Sequence, residues 1–210
     1  MIELKAFLAP LPLVAVLRGI SPEEIDAVAS ALHDNGFRVL EVPLNSPRPF
    51  ESITRLARGF GDRCLVGAGT VIQRNDVARV AEAGGRLVVM PHGDVAIIAE
   101  AKACGLVCIP GVSTLTEAFA ALAAGADALK MFPAELLSPA VLKAWRAVLP
   151  AGTLVFPVGG IRPDNMAPYW SVGADGFGTG SNLYKPGADP AEVRRVAAAY
   201  AAGFAALQPR

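Results

Sequence analysis

Short apolar runs recur along the chain, and each is followed by a stretch in which apolar residues return every three or four positions. The runs cover residues 13–17, 39–42, 65–68, 87–90, 107–109, 128–132, 154–158 and 176–178. Most are continuously apolar rather than alternating, the pattern of parallel strands covered on both faces. After Ser21 the apolar residues Ile25, Val28, Ala29 and Leu32 fall at helical spacing. Ser21-Pro22-Glu23-Glu24 offers an N-cap, a proline in the first turn and a glutamate three residues after the cap. Asp189-Pro190-Ala191-Glu192 repeats that pattern, Ser138-Pro139 repeats part of it, and Thr114-Leu115-Thr116-Glu117 is a capping box without proline. The helical stretches close on Gly36, Gly84, Gly105, Gly125 and Gly173, each followed at once by a strand-like run. Glycine accepts the left-handed backbone that ends a helix.

Eight strand–helix units without an interrupting linker predict a single α/β domain over residues 1–210, folded as a (β/α)8 TIM barrel. A doubly wound open sheet is the structural alternative. It calls for fewer strands and a glycine-rich loop after the first, and Arg18-Gly19-Ile20 is no such loop.

Composition narrows the function. The 210 residues are 53% hydrophobic, which supports a sizeable core near the lower size limit of such a barrel. No apolar run approaches the ~20 residues that cross a bilayer, and residues 1–8 lack the features of a secretory leader. A cytoplasmic protein with no membrane partner is expected. Nineteen basic and nineteen acidic residues cancel, and without a basic stripe nucleic acid is not an expected partner. Cys64, Cys104 and Cys108 have no companion ligand cluster and are expected to be buried free thiols.

A barrel of this kind keeps its chemistry at the C-terminal ends of the strands. Those ends carry Arg18, Glu41, Asn45, Thr70, Pro91, Pro110, Lys130, the pair Gly159-Gly160 and Gly180-Ser181. Lys130 lies inside an apolar strand on the face shared by Ala128 and Phe132, where an ammonium is costly. A structural lysine bridging to a carboxylate would explain it. So would an amine whose pKa is lowered by burial, since the neutral form attacks a ketone. Glu41 shares a face with Val39 and Pro43, where partial burial raises a carboxyl toward the range useful for moving protons. Arg18 offers a planar fork suited to a carboxylate, or to a structural ion pair. The glycine pairs ending strands seven and eight leave backbone amides open to phosphate. His33, near the end of the first helix, reads as a solvent or capping residue. His92 follows Pro91 in the fourth loop and could make at most a minor substrate contact. Neither has a second ligand at metal-binding spacing, so no metal and no other cofactor is expected.

Several segments together resemble one family. They are Leu17-Arg18-Gly19-Ile20, Glu41-Val42-Pro43-Leu44-Asn45-Ser46-Pro47, Gly67-Ala68-Gly69-Thr70-Val71, Pro110-Gly111-Val112-Ser113-Thr114, Ala128-Leu129-Lys130-Met131-Phe132-Pro133, Val158-Gly159-Gly160-Ile161 and Gly178-Thr179-Gly180-Ser181. Over residues 11–184 the chain resembles the bacterial class I 2-keto-3-deoxy-6-phosphosugar-acid aldolases. The resemblance implies that Lys130 forms a Schiff base and that Glu41 transfers protons. It implies that Arg18 and Thr70 hold the pyruvate carboxylate, and that Gly159, Gly160, Gly180 and Ser181 hold the phosphate. Pro91 and Phe132 complete the expected substrate-binding set. Asn45, in the Pro-Leu-Asn-Ser-Pro form, matches the galactonate branch, whereas the gluconate branch carries arginine there. Phe132-Pro133-Ala134-Glu135 looks more like the gluconate branch, which leaves dual specificity open. The expected reaction splits the phosphosugar acid into pyruvate and glyceraldehyde 3-phosphate, and the expected assembly is a homotrimer. The same residues would also suit a phosphate-binding isomerase or epimerase with Glu41 and Lys130 as an acid–base pair, or a non-catalytic sugar-phosphate sensor.

Overall fold

The computed structural model describes residues 4–9 and 11–207, so the extreme ends of the expected 1–210 domain, including residues 1–3 of the amino-terminal stretch, lie outside the described residues. A short helix α1 (Leu4–Leu8) precedes nine strands: β1 (Leu13–Val16), β2 (Val39–Pro43), β3 (Leu65–Gly69), β4 (Leu87–Val89), β5 (Val107–Ile109), β6 (Gly111–Val112), β7 (Leu129–Met131), β8 (Val155–Pro157) and β9 (Phe177–Thr179). Between and after them run α2 (Ile25–Asp34), α3 (Pro49–Phe60), α4 (Asn75–Glu82), α5 (Val95–Ala103), α6 (Leu115–Ala123), α7 (Pro139–Arg146), α8 (Met166–Ser171) and α9 (Pro190–Ala205). The strands form a curled six-stranded parallel sheet in the order β5-β4-β3-β2-β1-β9, a half-barrel, and a three-stranded parallel sheet β6-β7-β8.

The expected fifth strand is longer than the sequence reading and broken in two. Pro110 separates β5 from β6 and has no N–H to give a ladder. Its carbonyl still accepts from the Lys130 amide at 2.9 Å, and Phe132 donates to the Val112 carbonyl at 3.2 Å. On the far side, Val158 and Gly178 form a parallel bridge beside β8 and β9. A Cβ on Gly178 would lie 2.6 Å from Val158 Cγ2, so only glycine permits that approach.

Strand alternation splits the core in two. Val14, Val39, Leu65, Leu87, Val89, Val107, Ile109, Ala128 and Phe156 pack together with Leu4 and Leu8 of α1. The opposite faces, with Leu13, Ala15, Leu40, Val66, Val88, Leu129 and Val155, pack against the helices through residues such as Ile25, Leu32, Ile53 and Leu142. The last helix, α9, packs against α2.

The five helix-closing glycines have φ between +72° and +110°. The caps follow the sequence unevenly. Thr114 and Glu117 form a complete capping box. Asp189 caps α9 through the Ala191 amide, while Glu192 turns to Arg195. Ser138 makes no side-chain cap bond, although Pro139 opens α7. Glu24 accepts from the Ser21 amide at 3.0 Å, but α2 begins only after it, at Ile25. Cys64 and Cys108 are buried free thiols and Cys104 is half-buried. His33 is half-buried in α2 beside Phe60, and His92 is exposed. No helix among the described residues is long and apolar enough to cross a membrane.

Candidate active site

Two charged groups close one end of the inner core. Glu41, on β2, is 1% exposed, and Lys130, on β7, is 6% exposed. Each follows its sheet-mates by alternation: Glu41 two residues after Val39, Lys130 two after Ala128, both members of the inner cluster. Register fixes their neighbours, Val16 and Gly67 beside Glu41, Gly111 and Phe156 beside Lys130. Room for the carboxylate comes from Gly69, where a Cβ would lie 1.5 Å from Glu41 Oε2. That oxygen is buried and has no hydrogen-bond partner among the described residues. Lys130 Nζ lies 4.6 Å from the centre of the Phe132 ring. A void of about 10 Å³ touches both groups and is walled by Val14, Val89, Ile109 and Phe156.

Burial dominates the electrostatics. It pushes the Glu41 carboxyl from its ordinary 4.5 up to about 7, against the pull of the Lys130 and Arg18 charges. Burial also lowers the Lys130 ammonium, with Glu41 opposing and Arg18 assisting. Burial thus favours the uncharged form of each group, while each charge opposes the neutralisation of the other.

Above this floor opens a cavity of about 430 Å³, within the usual size range for small-molecule sites. Lys130, Phe132 and Arg18 line it, as do Gly159, Gly160, Gly180 and Ser181. Seven of the expected residues thus meet in one place. Asn45 and Thr70 are not in that lining; they hold Arg18. The guanidinium donates to Asn45 Oδ1 at 2.8 Å and to Thr70 Oγ1 at 3.3 Å. Thr70 has a φ of 54°, a left-handed backbone that costs a β-branched residue roughly 1–3 kcal/mol and clusters at functional sites. Pro91 does not line the cavity, and its backbone packs on Gly111 instead.

Sequence reasoning did not single out Glu135, Asn182, Tyr184, Lys185 and Pro186, which complete the wall. They belong to loops, where no periodicity marks a residue as facing inward. Glu135 presses on the glycine pair: a Cβ on Gly159 would lie 2.1 Å from its Oε2. Among the described residues no group of three or more His, Cys, Asp or Glu side chains is placed to hold a metal ion.

A buried amine and a buried carboxylate thus lie within the strands of a parallel α/β fold, beneath a cavity walled in part by glycines. Comparison with known proteins gives the family. The model of the KDPG and KHG aldolase family matches residues 4–198. A probable 2-dehydro-3-deoxy-6-phosphogalactonate aldolase of Rhizobium meliloti (strain 1021) is 47% identical over 196 residues, 93% of this chain and 92% of its own. The 2-dehydro-3-deoxy-6-phosphogalactonate aldolase of Escherichia coli (strain K12) is 43% identical over 194 residues, 92% of this chain and 95% of its own. A solved structure described as native KDPGal superposes with a TM-score of 0.91 at 42% identity, covering 93% of this chain and 95% of that one. The chain belongs to the KDPG and KHG aldolase family and is a carbon–carbon lyase.

Proposed function

We propose that the protein is a class I aldolase that cleaves 2-dehydro-3-deoxy-6-phosphogalactonate to pyruvate and glyceraldehyde 3-phosphate, with Lys130 as the imine-forming residue and Glu41 as the proton carrier. The observation that carries this reading is the burial of both groups together at the floor of one cavity. Its scaffold is a closed (β/α)8 barrel: Pro110 only interrupts one fifth strand, the Val158–Gly178 bridge joins the two sheets on the other side, and α9 meets α2.

The steps follow from the residues. Neutral Lys130 attacks the C2 ketone of the substrate, and the carbinolamine oxygen leaves as water with a proton supplied by Glu41. The resulting protonated imine is the electron sink. Glu41, now a carboxylate, takes the proton of the C4 hydroxyl as the C3–C4 bond breaks, and that electron pair moves into the imine to give an enamine. Glyceraldehyde 3-phosphate departs, Glu41 passes the proton it took from the C4 hydroxyl to C3 of the enamine, and water hydrolyses the protonated imine to pyruvate and neutral Lys130, the surplus proton returning to Glu41. Arg18 binds the substrate carboxylate, held in orientation by Asn45 and Thr70, so these two act through the arginine. The amides around Gly159, Gly160, Gly180 and Ser181 anchor the phosphate and fix C2 over Lys130. Phe132 packs beside the reacting nitrogen.

The choice of the galactonate epimer rests on Asn45 and on the names of the relatives above. No metal or organic cofactor enters these steps, the working assembly is a homotrimer, and the protein acts in the cytoplasm. Borohydride reduction in the presence of pyruvate should add the pyruvate-derived mass to Lys130. An isomerase or a sensor would gain none, and absence of the adduct overturns the imine. Comparing kcat/KM for the galactonate and gluconate epimers tests the substrate, and a preference for the gluconate epimer overturns that choice.

A further inference from the structure

Four charged side chains line the cavity: Arg18, Lys130, Glu135 and Lys185. Arg18 is engaged by Asn45 and Thr70, and Lys130 is buried at the floor. Glu135 places a carboxylate against Gly159, within the wall that the proposed function gives to the phosphate. Backbone amides alone would have to hold a dianion beside that negative charge, which like-charge repulsion opposes. A compensating cation is required, and Lys185 is exposed, forms no ion pair among the described residues, and follows Gly180-Ser181 on the same loop.

The loop that carries Lys185 is pinned by one carboxylate. Glu24 Oε1 accepts from the Tyr184 hydroxyl at 3.0 Å and from the Gly187 amide at 2.7 Å. The lysine therefore sits between two anchors on the same oxygen. Glu24 Oε2 is fixed in turn by the Ser21 amide at 3.0 Å and the Ser21 hydroxyl at 2.8 Å. A second contact joins the same two loops, for a Cβ on Gly19 would lie 2.6 Å from Pro186 Cγ. Gly19 is held by its amide donating to Ser46 Oγ at 2.9 Å and adjoins Arg18. Four hydrogen bonds on a single carboxylate exceed what a helix start needs, since two of them reach residues 160 and 163 positions away.

We infer that Lys185 is the cation of the phosphate end of the cavity and that Glu24 is its positioning residue. This rests on the proposed aldolase reading, and the test separates the two. In the addition direction, pyruvate is combined either with glyceraldehyde 3-phosphate or with unphosphorylated glyceraldehyde. Lys185→Met should raise KM for the phosphorylated aldehyde roughly ten- to a hundredfold, the effect of one charged hydrogen bond, and leave KM for glyceraldehyde unchanged. Lys185→Arg should recover most of the loss. Glu24→Ala should raise the same KM with kcat on glyceraldehyde preserved, and should add little in the Lys185→Met background because both act on one interaction. An unchanged KM for glyceraldehyde 3-phosphate in Lys185→Met, or an equal rise for both aldehydes, overturns the assignment of Lys185. Equal damage to both aldehydes in Glu24→Ala, or full additivity with Lys185→Met, overturns the positioning role. Because Lys185 is exposed, its variant tests the idea even if Glu24→Ala folds poorly. Pyruvate trapping on Lys130 in the unaltered protein reports on the aldolase reading alone.

Discussion

At the residue scale, the site consists of charges held where charge is disfavoured, and this makes function separable from stability. Burial lowers the pKa of Lys130 in the folded state. A base depressed in this way contributes stability above its unfolded pKa and loses it as pH falls through the folded value. At neutral pH the side chain is therefore a liability to the fold, and Lys130→Met should abolish cleavage while melting no lower than the parent. Residual turnover would sink its role as the imine former, and a large drop in melting temperature would return it to a structural part. Glu41 is the mirror case. With a folded value of about 7 against an ordinary 4.5, its contribution is complete below the ordinary value and is lost as pH rises through about 7. Glu41→Gln should slow turnover roughly 10²-fold or more, and at pH 8 it should gain stability on the order of 1–3 kcal/mol. The descending limb of kcat/KM against pH, set by the protonated Glu41 that opens the cycle, should lie near 7 and vanish in this variant; its survival would assign the limb to another group. Arg18 differs in being exposed and held by neutral partners. Arg18→Ala should raise KM for pyruvate and the phosphosugar acid together, about ten- to a hundredfold. Asn45→Ala should give a smaller rise of the same kind, because it only frees the guanidinium. Asn45→Arg would set a second guanidinium against the first, so any shift toward the gluconate epimer should come with a higher pyruvate KM. A clean shift would mean that Arg18 does not carry the carboxylate.

At the element scale the same device starts two strands. Asp127, just before β7, accepts from the Cys108 amide at 2.8 Å and pairs with Lys102 of α5 at 2.5 Å. Asp175, just before β9, accepts from the Val155 amide at 2.8 Å and pairs with Arg146 of α7. Each carboxylate satisfies an amide in the first two residues of the neighbouring strand and ties it to a helix. Asp127→Ala would leave that amide without its acceptor, a loss of about 1–3 kcal/mol, readable as a lower denaturant midpoint with unchanged kcat. Lys102→Met should cost less, since the pair is about a third exposed and screened by water. Equal losses would place the energy in the ion pair rather than in the amide bond. Neither aspartate is conspicuous in the sequence, because an acidic residue in a turn is unremarkable until its partner strand is known. The helix-closing glycines are legible because a positive φ leaves few other choices. The capping signals are legible only as candidates: Thr114 forms its box, whereas Glu24 keeps Ser21 on Oε2 ahead of the helix and turns Oε1 to Tyr184 and Gly187. The two-residue β6 and the proline-containing α8 are too short to show a period at all.

At the scale of the whole molecule, what could be read from the chain is what violates a local expectation. A lysine and a glutamate inside apolar strands announce themselves by the cost of burying them, and the paired glycines by the space they leave. Glu135 and Lys185 violate nothing locally; they become part of the site only when the loops after β7 and β9 are brought to one cavity. Assembly lies further still from the sequence pattern. Ile72, Val95 and Phe119 are 56%, 50% and 44% exposed. Scattered singly, such residues need no explanation. These three belong to consecutive βα units, in the loop after β3, at the start of α5 and within α6, and α5 packs against α6. In a homotrimer each subunit presents one patch to a different patch on its neighbour, so one charged substitution on that surface acts at every interface of the ring. Light scattering at micromolar concentration should give three times the chain mass for the parent protein. Ile72→Glu should move the population toward single chains and leave the monomer folded, because this side chain lies outside the buried core. A monomeric parent would end the proposal of a trimer, and a trimer indifferent to Ile72→Glu would move the interface to another face, with Leu136, 80% exposed after β7, the next residue to change.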